Sequence, residues 1–471
     1  MHPAPAILST SSAEIAMFNT KTIPASMVSL IERVKDTLEP NHLHAKLSDM
    51  FEGCFLNAFT TTLRPQTDGT IFVVTGDIPA MWLRDSSAQV RPYLIPARQD
   101  QSLADLLVGI SGRQLEFVLH DPYANAFNES SNRHGHQQDL TTMTPLVWER
   151  KYELDSLAYT LEFSYLIWHE TGRTDHLDWR YALVARSIIK LWTLEQHHER
   201  SPYTFERLDT YLPTDTLPHA GRGTSVGFTG MTWSGFRPSD DACTYGYLVP
   251  ANMQAVMALE HLETVAREVL HDDELRLEAG TLGRQLRQGI EHYGKVHHPD
   301  HGEVYAYEVD GLGHINLMDD ANVPSLLSAP YLGYCAKNDP TYLTTRTMLL
   351  CATNPHYHAG RAARGIGSPH TPGANIWPIS LCIQGLTSSD ESERRELLET
   401  LAGTDAGTGL MHESFNANDP TIFTREWFAW ANSLFAEFVL DLCGVRLGEP
   451  EPTRQTHGSE TDLQPSRAEA I

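Results

Sequence analysis

Apolar residues along this chain recur mostly at the three-and-four spacing of an amphipathic helix. Stretches near 24–38, 45–59, 85–97, 102–120, 153–171 and 177–199 place them at i, i+3, i+4 and i+7. The pattern resumes near 240–264, 273–294, 319–333, 339–352, 373–387, 390–402 and 426–442. This predicts about thirteen helices, mostly in pairs. Strand-like pieces such as 70–76 and 302–309 are few and short, so the predicted fold is all-α with short β-hairpin pieces in loops.

A second regularity concerns how the helices open. Asp85, Asp155, Asp240 and Asp319 each follow a loop and begin a helical pattern, and two later helices open at 372–380 and 425–433. Spacings of roughly 50 to 85 residues leave room for one helix pair each. A toroid of six helical hairpins accounts for this, with the inner helices parallel and their N-terminal ends gathered at one mouth. Taken singly, such an Asp reads first as a helix cap, because its side chain satisfies first-turn N–H groups and suits the positive end of the dipole. Taken in phase, the set points to a shared acidic pocket. No internal linker is visible. Residues 23–444 therefore read as one catalytic domain, 1–22 as a flexible N-terminal arm and 445–471 as a disordered tail.

Composition narrows the partners. The 41% of apolar residues among 471 suffices for a large core. Lys and Arg number 35 against 60 Asp and Glu, a formal charge of −25, which repels a polyanion and argues against nucleic acid. A neutral sugar meets no such opposition. No run of about 18 apolar residues exists, so no membrane span is expected. The six cysteines are scattered without CxxC pairs and read as reduced core residues. With no visible signal segment, a cytoplasmic setting follows as the expectation. The 23 histidines form no HExxH or similar pattern, so neither a metal nor another cofactor is expected.

Chemistry concentrates in the loops ahead of the inner helices. Residues 74–89 hold Asp77, Trp82, Arg84 and Asp85; residues 230–246 hold Trp233, Phe236, Arg237, Asp240 and Asp241. Residues 365–378 hold His370 and Trp377; residues 411–430 hold His412, Glu413, Arg425, Trp427 and Trp430. Carboxylates that grip vicinal hydroxyls, arginines, and indoles that cover the apolar face of a ring together suit a sugar. Cleaving a glycosidic bond needs an acid at the leaving oxygen and a second carboxylate opposite. Asp240 and Glu413, in separate loops that a toroid brings to one mouth, are the candidates. One difficulty attends Asp240. In a helix first turn the dipole lowers its pKa, so burial and a neighbouring carboxylate must outweigh the dipole. The plain alternatives are that Asp240 decorates a helix start and that Glu413 merely pairs with Arg425. Trp427 and Trp430 stand three apart on one helix, which leaves at least one to core packing.

At these same loops the sequence resembles glycoside hydrolase family 125. The strings TGDIPAMWLRDSSAQVRPYL, TWSGFRPSDDACTYGYLVPANM and MHESFNANDPTIFTREWFAWANSLFAEFVLDL carry the resemblance, which runs from about residue 24 to 443. It implies an (α/α)6 barrel acting as an exo-α-1,6-mannosidase with inversion, needing no metal. By motif it puts the general acid on Asp240, with Asp241 the lesser candidate, and the general base on Glu413. It implies mannose contacts from Asp77, Trp82, Arg84 and Asp85, and from Asp241, His370, His412 and Arg425. The partner is then a mannose-containing oligosaccharide; oligomeric state is left open. Two rivals stay in view: another toroid activity, such as a glucosidase or an epimerase using His370 with His412, and a non-catalytic glycan-binding scaffold.

Overall fold

The computed structural model describes residues 22–38, 43–210 and 212–448, so all but residue 22 of the expected arm at 1–22 and all but 445–448 of the expected tail at 445–471 lie outside the described residues. Among the described residues the α-helices of six residues or more are α1 (Ala25–Thr37), α2 (His44–Thr61), α3 (Leu83–Ala88), α4 (Gln101–His120), α5 (Leu154–Thr171) and α6 (Trp179–Glu195). They continue as α7 (Val249–Val265), α8 (Asp273–Gly289), α9 (Pro340–Leu349), α10 (Pro378–Thr387), α11 (Glu391–Gly403) and α12 (Ala429–Leu442).

An inner ring forms from α3, α5, α7, α10 and α12, each packed on its neighbour or on the intervening segment. Helices α5, α7, α10 and α12 are buried on nearly every side, as an inner position demands. Outer helices pack on their backs; α8, for example, buries only a stripe that includes Leu275, Leu282 and Leu286.

Three departures from the expected helices have local causes. The stretch 85–97 breaks after α3, because Pro92 and Pro96 offer no N–H to continue the ladder. The stretch 319–333 takes the sixth inner place but is a run of turns, not a helix. Pro324 and Pro330 interrupt it, and the Asp319 carboxylate accepts from Leu326 N (2.8 Å) and Leu327 N (3.0 Å) instead of leaving them to helical carbonyls. Tyr159 Oη donates to Val323 O (3.2 Å), which ties the segment to α5. Finally, Asp240 does not open a helix: α7 starts only at Val249.

Capping also falls differently from expectation. Asp100, Asp178, Asp272, Asp339 and Asp390 cap the outer helices α4, α6, α8, α9 and α11 through side-chain oxygens. The inner helices α3, α5, α7, α10 and α12 have no side-chain cap. Their N-terminal N–H groups and positive dipole ends are left for the mouth, where anionic side chains gather.

Short antiparallel sheets frame that mouth. Met81–Trp82, Ala126–Phe127 and Val147–Glu149 form one; Tyr247–Leu248, Glu308–Val309 and Ile315–Asn316 another; Asn375–Ile376, Ser414–Asn416 and Phe423–Thr424 a third. In each sheet one strand runs directly into an inner helix, or ends one residue short of it, so the strand fixes where the helix begins.

Candidate active site

Each functional side chain is placed by one of these strand-to-helix junctions. Trp82 pairs with Ala126 in the first sheet, and Arg84 and Asp85 follow in the first turn of α3. Glu153 immediately precedes α5, with Asp155 in its first turn. The loop 230–246 is pinned by Glu308, which accepts from Arg237 Nε (2.6 Å), Thr244 N (3.1 Å) and Tyr245 N (3.3 Å). Gly235 N and Phe236 N both donate to Tyr152 O at 3.0 Å, and Lys151 Nζ donates to Asp240 O at 2.8 Å. Held this way, Asp240 takes a left-handed φ of 68°, a conformation that needs support from its surroundings. Glu413 leads the strand Ser414–Asn416, and Arg425, at φ 37°, returns beside it.

These junctions enclose one small cavity. Trp82, Arg84, Asp85, Asp240, His370, Glu413 and Arg425 line it, so seven of the expected site residues converge there. Thr75, Ile78, Pro238, Ser239, Asn322, Trp377, Phe428 and Trp430 complete the wall. Trp430 lies under the Arg84 guanidinium, 5.8 Å from ring centre to carbon, whereas Trp427 donates to Asn57 Oδ1 (3.1 Å) and belongs to packing against α2. Thr75 Oγ1 and Trp82 Nε1 are buried without a protein hydrogen-bond partner, so two donors in the wall stand ready for ligand hydroxyls. A larger, more open groove runs along α11 beside Tyr357 and Arg361, but none of the site residues reaches it.

Three expected contacts do not line this cavity. His412 is buried, stacked on Phe423 at 3.8 Å, with both ring nitrogens facing the backbone carbonyls of Glu426 and Asp405. Asp241 turns away and accepts from Thr214 Oγ1 (2.7 Å) and Ser239 Oγ (3.3 Å); burial raises its pKa. Asp77 stands on the exposed rim and grips Arg425, accepting from Nε at 3.0 Å. Sequence reasoning did not single out Glu153. The string ERKYELD reads as an exposed charged turn, yet Glu149, Lys151 and Glu153 are all buried. The signal was its position, directly before a helix apolar on all faces.

The electrostatics centre on Arg84, which is 3% exposed. Its Nη1 donates to Glu153 Oε2 (2.7 Å) and Asp155 Oδ2 (3.0 Å), its Nη2 to Asp240 Oδ1 (3.4 Å), and its Nε lies 3.5 Å from Asp85 Oδ2. Burial pushes the Asp85 carboxyl up to about 6 against the pull of Arg84. Glu153 is raised well above the usual carboxylate range by burial and by the adjoining Asp240 and Asp155 charges. Asp240 feels burial too, but a hydrogen bond from Glu153 and the charges of Lys151 and Arg84 override it and hold it to about 2. Glu413 accepts from Arg425 Nη1 at 3.3 Å and is otherwise free to face the cavity.

Residues 44–440 match the family model described as metal-independent alpha-mannosidase (GH125). The chain belongs to glycoside hydrolase family 125. As a family-125 chain it is a glycoside hydrolase, an α-mannosidase. A Streptococcus pneumoniae family member, solved in a non-productive substrate complex with alpha-1,6-mannobiose, is 46% identical and superposes with a TM-score of 0.86 over 89% of this chain and 97% of that one. The meiotically up-regulated gene 157 protein of Schizosaccharomyces pombe is 42% identical over 90% of this chain and 86% of its own length. A wild-type glycosidase at 12% identity and a TM-score of 0.53, covering 86% of this chain and 99% of that one, shares the fold alone. The likeness to the streptococcal enzyme gives the family-125 chain an (α/α)6 fold. Among its described residues, no group of three or more His, Cys, Asp or Glu is placed to hold a metal ion, and no helix is long and apolar enough to cross a membrane.

Proposed function

We propose that this α-mannosidase removes terminal α-1,6-linked mannose from the non-reducing end of mannooligosaccharides or N-glycan fragments, with inversion. The observation that carries the reading is the convergence of Asp240 and Glu413, from loops far apart in the chain, on one small cavity whose wall includes the buried Arg84, Asp85 and Trp430. A pocket closed on its inner side admits a chain end and stops there, which is exo action. The 1,6 linkage rests on the streptococcal relative and its mannobiose.

In the reaction Asp240 gives a proton to the glycosidic oxygen as the C1–O bond breaks. Glu413 takes a proton from a water whose oxygen bonds to C1 from the opposite face. Arg425, clamped by Asp77, holds the Glu413 carboxylate in place. Trp82 Nε1 and Thr75 Oγ1 donate to mannose hydroxyls, and Trp377 and Trp430 bound the ring. An epimerase would need His370 and His412 together, and His412 faces away from the cavity. The six cysteines are all free, which agrees with a reducing, cytoplasmic setting.

Paired substitutions test these roles. Asp240→Asn and Glu413→Gln should each lower kcat on α-1,6-mannobiose by at least ~10²–10⁴-fold, the range for a lost proton-transfer group. Unchanged turnover in either variant would remove that residue from the mechanism.

A further inference from the structure

Asp240 as described is poorly equipped for its proposed part. The left-handed turn presents its carboxyl to the cavity with Arg84 beside it and Lys151 bound to its own carbonyl. Two cations favour the ionised form, whereas a general acid must arrive protonated. The proton has to be stored elsewhere.

The surrounding groups say where. Arg84 carries one positive charge and meets four carboxylates: Asp85 in α3, Glu153 and Asp155 at the start of α5, and Asp240 across the mouth. Three of these are nearly inaccessible to water, so they cannot all ionise against a single guanidinium. Lys151, which also faces Asp240, is shared with Asp215 and Glu149, and Glu149 is further held by Arg207. His370 also lines the cavity with Asp240. The cluster therefore keeps at least one proton at neutral pH.

Glu153 and Asp240 bind the same guanidinium, Arg84 Nη1 donating to Glu153 Oε2 (2.7 Å) and Nη2 to Asp240 Oδ1 (3.4 Å), so the two carboxyls are neighbours and a proton on either one favours ionisation of the other. Glu153 has no side-chain exposure; Ser156 Oγ (3.0 Å) and Asn125 Nδ2 (3.3 Å) fix its orientation. Asp240 is open to the cavity, its side chain 26% exposed.

Resting on Asp240 as the acid, we infer that Glu153 is a positioning residue that stores the catalytic proton and passes it to Asp240 when mannoside fills the cavity. Substrate displaces water from around the Asp240 carboxylate, which raises its proton affinity relative to Glu153. The Glu153 O–H bond then breaks and an Asp240 O–H bond forms. Asp240 next transfers that proton to the leaving oxygen as C1–O breaks and water, giving its proton to Glu413, bonds to C1. Glu153 ends as a carboxylate and Glu413 as an acid; solvent exchange after product release restores both.

The test compares α-1,6-mannobiose with 2,4-dinitrophenyl α-mannoside, whose leaving group departs without protonation. For Glu153→Gln we expect kcat on mannobiose to fall ~10²–10³-fold with KM changed less than about threefold, while the dinitrophenyl substrate loses less than about tenfold. The alkaline limb of the kcat profile should also move to lower pH, because Asp240 then titrates without its partner. Glu153→Asp, which keeps an ionisable carboxyl, should recover part of the mannobiose rate, and it carries the test if the Gln variant does not fold. Equal losses on both substrates, or a normal mannobiose rate with an unmoved pH profile, would overturn the inference. Wild-type turnover of mannobiose by Asp240→Asn would overturn instead the assignment of Asp240.

Discussion

Removing the Arg84 charge should destabilise the fold in a way that depends strongly on pH. Arg84→Met is shorter but keeps much of the side-chain volume, and it leaves Glu153, Asp155 and Asp85 buried with no cation in contact. Each close pair is worth ~4 kcal/mol of gross attraction at an effective dielectric near 20, most of it cancelled by desolvation already incurred. Stripping one partner from a buried pair costs about 3–5 kcal/mol, and with two carboxylates at 2.7 and 3.0 Å the upper half of that range applies near pH 8. The variant escapes part of the cost by binding protons. Without the guanidinium the folded-state pKa values of these acids rise further above their unfolded values. Stability is then fully present below the unfolded pKa and lost as pH rises through the folded one. Near pH 5 the deficit should shrink to less than ~2 kcal/mol. Urea unfolding of both proteins at pH 5 and pH 8, read by tryptophan fluorescence, measures the difference. A deficit that is the same at both pH values, or below ~1 kcal/mol at pH 8, would refute the one-cation, four-acid description.

Other expectations follow from single contacts. Glu308→Gln keeps the size of the side chain but removes the charge that Arg237 pairs with, together with one acceptor for Thr244 N and Tyr245 N; it should cost ~2–4 kcal/mol and reduce kcat, because the Asp240 turn loosens. Thermal melting and mannobiose kinetics check both effects. Asp85, raised to about 6, contributes stability present below its unfolded pKa and lost as pH rises to about 6, so Asp85→Asn should flatten the stability profile between about pH 4 and 6 relative to wild type. Asp77→Asn, on the exposed rim, should change stability by less than ~1 kcal/mol yet lower kcat, since it frees Arg425 to swing from Glu413. An unaltered kcat there would mean that Arg425 is held well enough by Glu413 and Phe428 alone.

Much of the ring was legible because outer helices such as α8 keep a 3.6-residue apolar stripe, while inner ones such as α7 are long apolar segments between them. The failures mark where backbone chemistry overrides that period. Pro324 and Pro330 turn the sixth inner position into turns, and nothing in the spacing of its apolar residues reports this. Of the Asp residues expected to open inner helices, Asp85 and Asp240 line the pocket, Asp155 pairs with Arg84 and Asp319 holds its own turn, while Asp100, Asp178, Asp272, Asp339 and Asp390 cap the outer helices. The proposed dipole difficulty at Asp240 disappears, since it sits in a loop; two neighbouring cations replace it with a stronger one. Seven site residues were recoverable because acids, arginines and indoles interleave in loops that a toroid must bring together. Glu153 was not, because a buried acid in a charged string looks like a solvated one until a ring of helices closes over it. His412 was misplaced for the converse reason: one residue before Glu413, its ring turns back to stack on Phe423.

Inversion requires a water attacking opposite the leaving group, between Asp240 and Glu413. Following α-1,6-mannobiose hydrolysis by proton NMR during the first turnovers reads this directly. With inversion, β-mannose is released first and converts to the equilibrium mixture by mutarotation. Initial release of α-mannose would contradict it, since retention requires a covalent intermediate and carboxyl groups about 5 Å apart rather than roughly 6.5–9.5 Å.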